Sequence, residues 1–114
     1  MKDSKQILQA IAQAIHEKKG SHILAIDVRK VTSMMDYVVI AQGNVARHLI
    51  ALKDHIIDVL QEPPLYVDGV ADSGWVVLDC FEVVVHLFLP KMRDIYRIEE
   101  LYAKGEVLSI DLKD

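Results

Sequence analysis

The side chains with the richest chemistry in this 114-residue sequence are five histidines, a single cysteine and three carboxylates beside or within apolar runs, Asp27, Asp36 and Asp79. A zinc pair on a helix usually sits four apart, as in H-E-x-x-H, whereas His48 and His55 share a helix face but stand seven apart. His16 and His22 fall in different elements, with no Cys or carboxylate cluster beside them. Asp27, Asp36 and Asp79 would be the carboxylates for a metal site, but no D-x-D spacing occurs. Cys80 has no basic neighbour to lower its pKa, so it reads as a small core residue and not as a nucleophile. Ser73 precedes Gly74 without a G-x-S-x-G elbow, and the Gly-Asn-Val-Ala of residues 43–46 is an ordinary helix start without a phosphate loop. These patterns imply no metal, no cofactor and no catalytic set. A binding module is the better class.

Recognition chemistry is better represented. Residues 75–80 and 83–89 read as an antiparallel hairpin around Phe81-Glu82. If those two residues are the turn, counting outward places Val77 opposite His86 and Trp75 opposite Phe88. One face then holds Val76, Leu78, Cys80, Val83, Val85 and Leu87, an aliphatic core. The other holds Trp75, Val77, Asp79, Val84, His86 and Phe88, a mixture suited to a face partly covered by a helix and partly offered to a partner. Trp75 and Phe88 on this pattern are either a cross-strand pair under a helix or an interface anchor with its support. Phe-Glu lacks the Gly, Asn or Asp that gives positive φ in a tight hairpin. A type I turn, a bulge or a longer loop is therefore expected, with Phe81 at its tip.

The remaining elements must position that hairpin. Residues 4–19 read as a helix, with Ile7, Leu8, Ile11, Ala14 and Ile15 on one face, Ser4 as the cap and Gly20 as the stop. Residues 22–28 form a strand. Residues 37–41 form a second, apolar on both faces and hence central. Gly43-Asn44 ends it and caps a helix over residues 45–61, whose inward positions are Leu49, Leu52, Ile56, Val59 and Leu60; Pro63-Pro64 forbids its continuation. A short strand at 65–67 leads into turns at Asp68-Gly69 and Asp72-Ser73-Gly74. Pro90 opens a third helix over 90–103 that carries Tyr96, Gly105 closes it, and residues 107–110 add edge pairing. The order α-β-β-α-β-β-β-α predicts an α/β (α+β) fold, a mixed sheet of about five strands covered by helices.

Size and composition set the outer limits. A chain of this length closes around a single core, so residues 1–114 are expected to be one domain. A hydrophobic fraction of 52% and a charged fraction of 26% suffice for that core. Thirteen Lys and Arg against seventeen Asp and Glu leave a net charge of −4, which argues against holding nucleic acid by phosphate neutralisation. One cysteine allows no internal disulfide, residues 1–19 show no secretory signal, and the densest apolar run, 83–89, is far too short to span a bilayer. A cytoplasmic protein is expected. The charge is uneven: residues 54–90 contain no Lys or Arg but hold Asp54, Asp58, Glu62, Asp68, Asp72, Asp79 and Glu82, whereas the first thirty residues are basic. Such a segment is either solvated surface or a surface suited to a basic partner.

Four blocks together resemble the Iojap family, the ribosomal silencing factors. Asp36-Tyr37-Val38-Val39-Ile40-Ala41-Gln42-Gly43-Asn44 with Arg47-His48 is similar to its D-Y-x-V-I-x-x-G-x-S-x-R-H/Q stretch. Trp75-Val76-Val77-Leu78-Asp79 with Val83-Val84-Val85-His86 resembles its W-x-x-x-D…V-V-V-H hairpin. Arg93 to Leu101 resembles its R-x-x-Y-x-L-E-x-L-W helix, and Ile26-Asp27-Val28 its L-D-V strand. Phe81-Glu82 departs from the commoner Gly-Asp turn, Tyr102 from the usual Trp, and Val45 from a frequent Ser or Thr. The resemblance, over about residues 4–103, implies a nucleotidyltransferase-like fold without the catalytic carboxylates. It further implies binding to the large ribosomal subunit through its fourteenth ribosomal protein, obstruction of small-subunit docking, and lower translation when nutrients are scarce. Some members act in large-subunit assembly in organelles, and several form homodimers. On this reading Trp75 anchors the partner, Phe88 and Tyr96 shape its surroundings, and Asp79 offers a charge-assisted contact. The competing reading is a degenerate metal-dependent nucleotidyltransferase using Asp27, Asp36 or Asp79.

Overall fold

The computed structural model describes residues 3–114; Met1 and Lys2, including the first charge of the basic amino-terminal run, lie outside the described residues. Helix α1 (Ser4–Glu17) buries Leu8, Ile11, Ala12, Ala14 and Ile15. Its cap is Asp3, one residue earlier than expected. Asp3 Oδ1 accepts from the Gln6 backbone N–H at 2.8 Å while Gln6 Oε1 accepts from the Asp3 N–H at 3.0 Å, a reciprocal box that satisfies two donors at once. Ser4 is thereby free to donate its hydroxyl to Asp36 Oδ2. The left-handed residue at the helix end is Lys19 (φ 67), not Gly20. Glycine is required next to it for a different reason: a Cβ on Gly20 would lie 2.3 Å from Ile15 Cγ2.

Strands β1 (Ser21–Asp27) and β2 (Tyr37–Gln42) pair antiparallel. Helix α2 (Ala46–Val59) buries Leu49, Leu52 and Ile56 and ends before the Pro63-Pro64 pair. Its cap position is Val45, which makes no side-chain cap bond. Asn44 does not cap. Its backbone N–H instead donates to His48 Nδ1, and His48 Nε2 donates in turn to the Lys18 carbonyl, tying the start of α2 to the end of α1. Strand β3 (Tyr66–Val70) runs three residues past the expected end and absorbs Asp68-Gly69 as strand. Gly69 makes this possible: at φ 90, any Cβ would lie 2.2 Å from the Trp75 carbonyl oxygen. A 3₁₀ turn (Ala71–Ser73) and Gly74 (φ 87) lead into β4 (Trp75–Cys80) and β5 (Val83–Phe88).

Helix α3 (Pro90–Tyr96) begins on proline at its first turn, as expected, but stops seven residues before the expected end. Arg97 takes a left-handed conformation (φ 46, ψ 49), and the chain restarts as a 3₁₀ segment, Ile98–Tyr102. The break turns Ile98 into the core, where it is buried. Strand β6 (Glu106–Leu108) then pairs antiparallel with β1, which makes six strands rather than about five, in the order β3-β4-β5-β2-β1-β6. Central β2 lies parallel to β5 and antiparallel to β1.

Each sheet face has its own cluster. Helices α1 and α2 cover one face, where Ile11, Ile15, Leu49, Leu52 and Ile56 pack on Val76, Leu78, Cys80, Val83, Val85 and Leu87. On the other face Ile26, Val38, Ile40 and Phe88 meet Ile98 of the 3₁₀ segment, with Met92 of α3 and Trp75 beside them. Fully burying each such side chain contributes about 1.5–3 kcal/mol. The second cover is much shorter than the first, and it leaves the β3–β4 side of that face open.

Candidate partner-binding face

The hairpin register follows the count made from the two-residue turn: Cys80 pairs with Val83, Asp79 with Val84, Val77 with His86 and Trp75 with Phe88. The turn conformation does not follow. Phe81 itself sits in the left-handed region at φ 69, without a glycine. Neighbouring bonds hold it there. Its N–H donates to Asp79 Oδ1 at 3.1 Å, while the Glu82 carbonyl accepts from Asp36 and Tyr37 at 2.8 and 3.1 Å. Phe81 is 46% exposed.

Trp75 is the hub of the aromatic group. Its ring stacks on Phe88 at 5.1 Å and 26°, and meets Tyr96 at 4.7 Å. Its indole Nε1 donates to His86 Nδ1 at 3.2 Å. Phe88 is fully buried at 0% exposure. It therefore shapes the floor under Trp75 and makes no direct surface of its own. Trp75 is half-buried and Tyr96 is 50% exposed at the end of α3. Asp79 stands four residues further along β4, half-buried, on the same face.

Two residues of this face were not picked out from the sequence. Register across β3 places Tyr66 opposite Asp79 and Asp68 opposite Val77, so both point to the Trp75 side, and both are exposed. The signal was period-2 alternation, which for Asp68 needs β3 drawn through Asp68-Gly69 and for Tyr66 needs its pairing with β4. The role of His86 as the acceptor for the indole also had no sequence signature. Burial pushes its pKa down to about 4, so the ring is neutral, with the proton on Nε2.

The other chemical candidates are engaged elsewhere. Asp27 is held by Arg29 through contacts of 2.6–3.1 Å, and hydrogen bonds from Arg29 keep its carboxyl below the ordinary range. Asp36 accepts from Ser4, His55 bonds Glu17 at 2.9 Å, and His16 bonds Asp114 at 2.6 Å. Among the described residues no three His, Cys, Asp or Glu side chains gather where they could hold a metal ion. Burial, with a smaller push from Asp79, raises the Cys80 thiol to about 12. The acidic run does not form one surface. Asp54 and Asp58 ride on α2, which packs on the opposite side of the sheet, and Asp54 pairs with Lys53 at 3.1 Å. Asp68 and Asp79 are the carboxylates of that run that share the Trp75 face. Among the described residues no helix is long and apolar enough to cross a membrane.

Fold and face together define an α+β domain with a six-stranded mixed sheet, one side fully roofed and the other roofed in part over an aromatic group. Comparison with known proteins gives this class its family. The model of the family "Ribosomal silencing factor during starvation" matches residues 1–114, and the chain belongs to that family. It is 30% identical over 112 residues to the ribosomal silencing factor of Bacillus subtilis, covering 96% of this chain and 95% of the relative. Against the one from Chromobacterium violaceum it is 32% identical over 100 residues, 85% of this chain and 82% of the relative. A crystal structure of a Chromobacterium violaceum protein superposes with a TM-score of 0.84 at 30% identity, covering 98% of this chain and 95% of that one.

Proposed function

We propose that this protein binds the large ribosomal subunit through its fourteenth ribosomal protein, prevents the small subunit from joining, and so lowers translation without catalysing a reaction. The observation that carries the reading is the half-roofed face of a ribosomal silencing family member: Trp75 and Tyr96 offer partly exposed rings, and Asp79 and Asp68 supply negative charge beside them. Such a face suits a basic protein surface, because a half-buried aromatic anchor bordered by carboxylates combines apolar burial with charge complementarity. Trp75 is the anchor on this reading. Tyr96 and the buried Phe88 fix its orientation, and Asp79 receives a charge-assisted hydrogen bond.

The test is a sucrose-gradient reassociation experiment with isolated subunits. Adding the protein should deplete the joined peak while it co-sediments with large subunits. An unchanged joined peak at saturating, bound protein would overturn the steric mechanism. Absence of co-sedimentation would overturn the partner itself.

A further inference from the structure

On the opposite side of the sheet from Trp75, a cavity of about 320 Å³ opens between the start of α1, the end of α2 and the hairpin tip. Ile7, Val59, Leu60 and Phe81 give it apolar walls, and Glu62 and Glu82 stand at its lining as exposed carboxylates. Among the described residues no Lys or Arg lines it. The volume lies at the lower end of the range used by small-molecule sites, where apolar walls supply affinity and a few polar groups fix orientation.

Phe81 is the unusual wall. A phenylalanine in the left-handed region is unfavourable by about 1–2 kcal/mol relative to ordinary backbone. Here the residue is also nearly half exposed, at the lip of the cavity. The Phe81 backbone N–H is tied to Asp79, but Cys80 and Val83, the pair that flanks the turn, face the α1–α2 core.

We propose that this cavity is a binding site for a small apolar ligand bearing one positive charge, an alkyl- or arylammonium compound. The hydrocarbon part lies among Ile7, Val59, Leu60 and Phe81, and the ammonium group faces Glu62 and Glu82. An anionic ligand of the same shape meets repulsion from both carboxylates, and a neutral one loses their attraction.

The experiment is an amide-shift NMR titration of the full chain with hexylammonium, 1-hexanol and hexanoate. Hexylammonium should give saturable shifts centred on residues 7, 60 and 81, and bind about three- to tenfold more tightly than hexanol, the range expected for exposed carboxylates. Hexanoate should be weakest. The Glu62→Gln/Glu82→Gln double variant, altered only at exposed positions, should bring hexylammonium down to the affinity of hexanol. Phe81→Gly, which relieves the backbone while removing the lip, should weaken both. Equal binding of the three probes, shifts centred elsewhere, or no saturable shift with hexylammonium would each overturn the assignment.

Discussion

The indole of Trp75 donates a hydrogen bond to Nδ1 of His86, the residue two positions before the phenylalanine on which the same indole stacks. One side chain thus binds both a polar and an apolar neighbour on β5. The bond fixes the imidazole tautomer, because a neutral ring that accepts at Nδ1 carries its proton on Nε2. That Nε2 has no hydrogen-bond partner among the described residues, so burial and not a network keeps the ring neutral.

Acid should weaken the fold through His86. Its folded pKa is depressed from 6.5 to about 4, so the unfolded chain binds the extra proton first as pH falls. Stability tied to this group is complete above pH 6.5 and disappears between 6.5 and about 4, a loss on the order of 3 kcal/mol. Urea unfolding at pH 7.5 and pH 4.5 measures it. His86→Phe should flatten the dependence in that window.

Trp75→Phe should cost about 1–3 kcal/mol of stability, because it keeps a ring on Phe88 but strands the buried Nδ1 of His86. An NMR titration of His86 in this variant should show its pKa rising, since the smaller ring leaves the imidazole less buried.

Trp75→Ala separates anchor from core. The half-buried ring should cost less than the roughly 3–5 kcal/mol of a fully buried tryptophan, leaving a folded protein at 25 °C. Binding to large subunits should fall by about tenfold or more. A large drop in melting temperature with unimpaired binding by the folded fraction would refute the anchor role.

Association with large subunits should slow as salt rises, and Asp79→Asn should reduce that slope, because exposed charges act over roughly 8 Å at physiological salt. Substituting Asp54 and Asp58 on α2 should leave the slope unchanged. Stopped-flow association at several salt concentrations checks both statements.

Gly69→Ala should destabilise by about 2 kcal/mol or more, since it combines a left-handed φ with a backbone clash against Trp75. The shift in urea midpoint is the measure.

The sequence made the sheet legible where a count sufficed. The hairpin register came from one assumption, a two-residue turn, and period-2 alternation did the rest. Central β2 was visible because it is apolar on both faces, and edge pairing was expected at residues 107–110, where the strand falls slightly earlier at Glu106–Leu108. Element ends were less visible because tertiary bonds decide them: Asp3 wins the cap through Gln6, Lys19 takes the conformation expected of Gly20, and Arg97 breaks α3 so that Ile98 can reach the core. Of the expected site residues, Trp75, Asp79, Phe88 and Tyr96 do share one side of the sheet, but depth within it is not written in alternation. Phe88 is floor, Tyr66 takes its side from the pairing of β3 with β4, and Asp68 joins it only through the extension of β3.

The parallel β2–β5 pairing has a consequence for a chain that is still being made. The floor under Trp75 uses Val38 and Ile40 from one end of a long sequence separation, and Phe88 and Ile98 from the other. Parallel neighbours cannot be joined by a tight turn, so β2 must wait for α2, β3 and β4 to be synthesised before β5 can settle beside it. A nascent chain therefore has no finished aromatic face until Phe88, Tyr96 and Ile98 have all emerged, about sixty residues after β2 began.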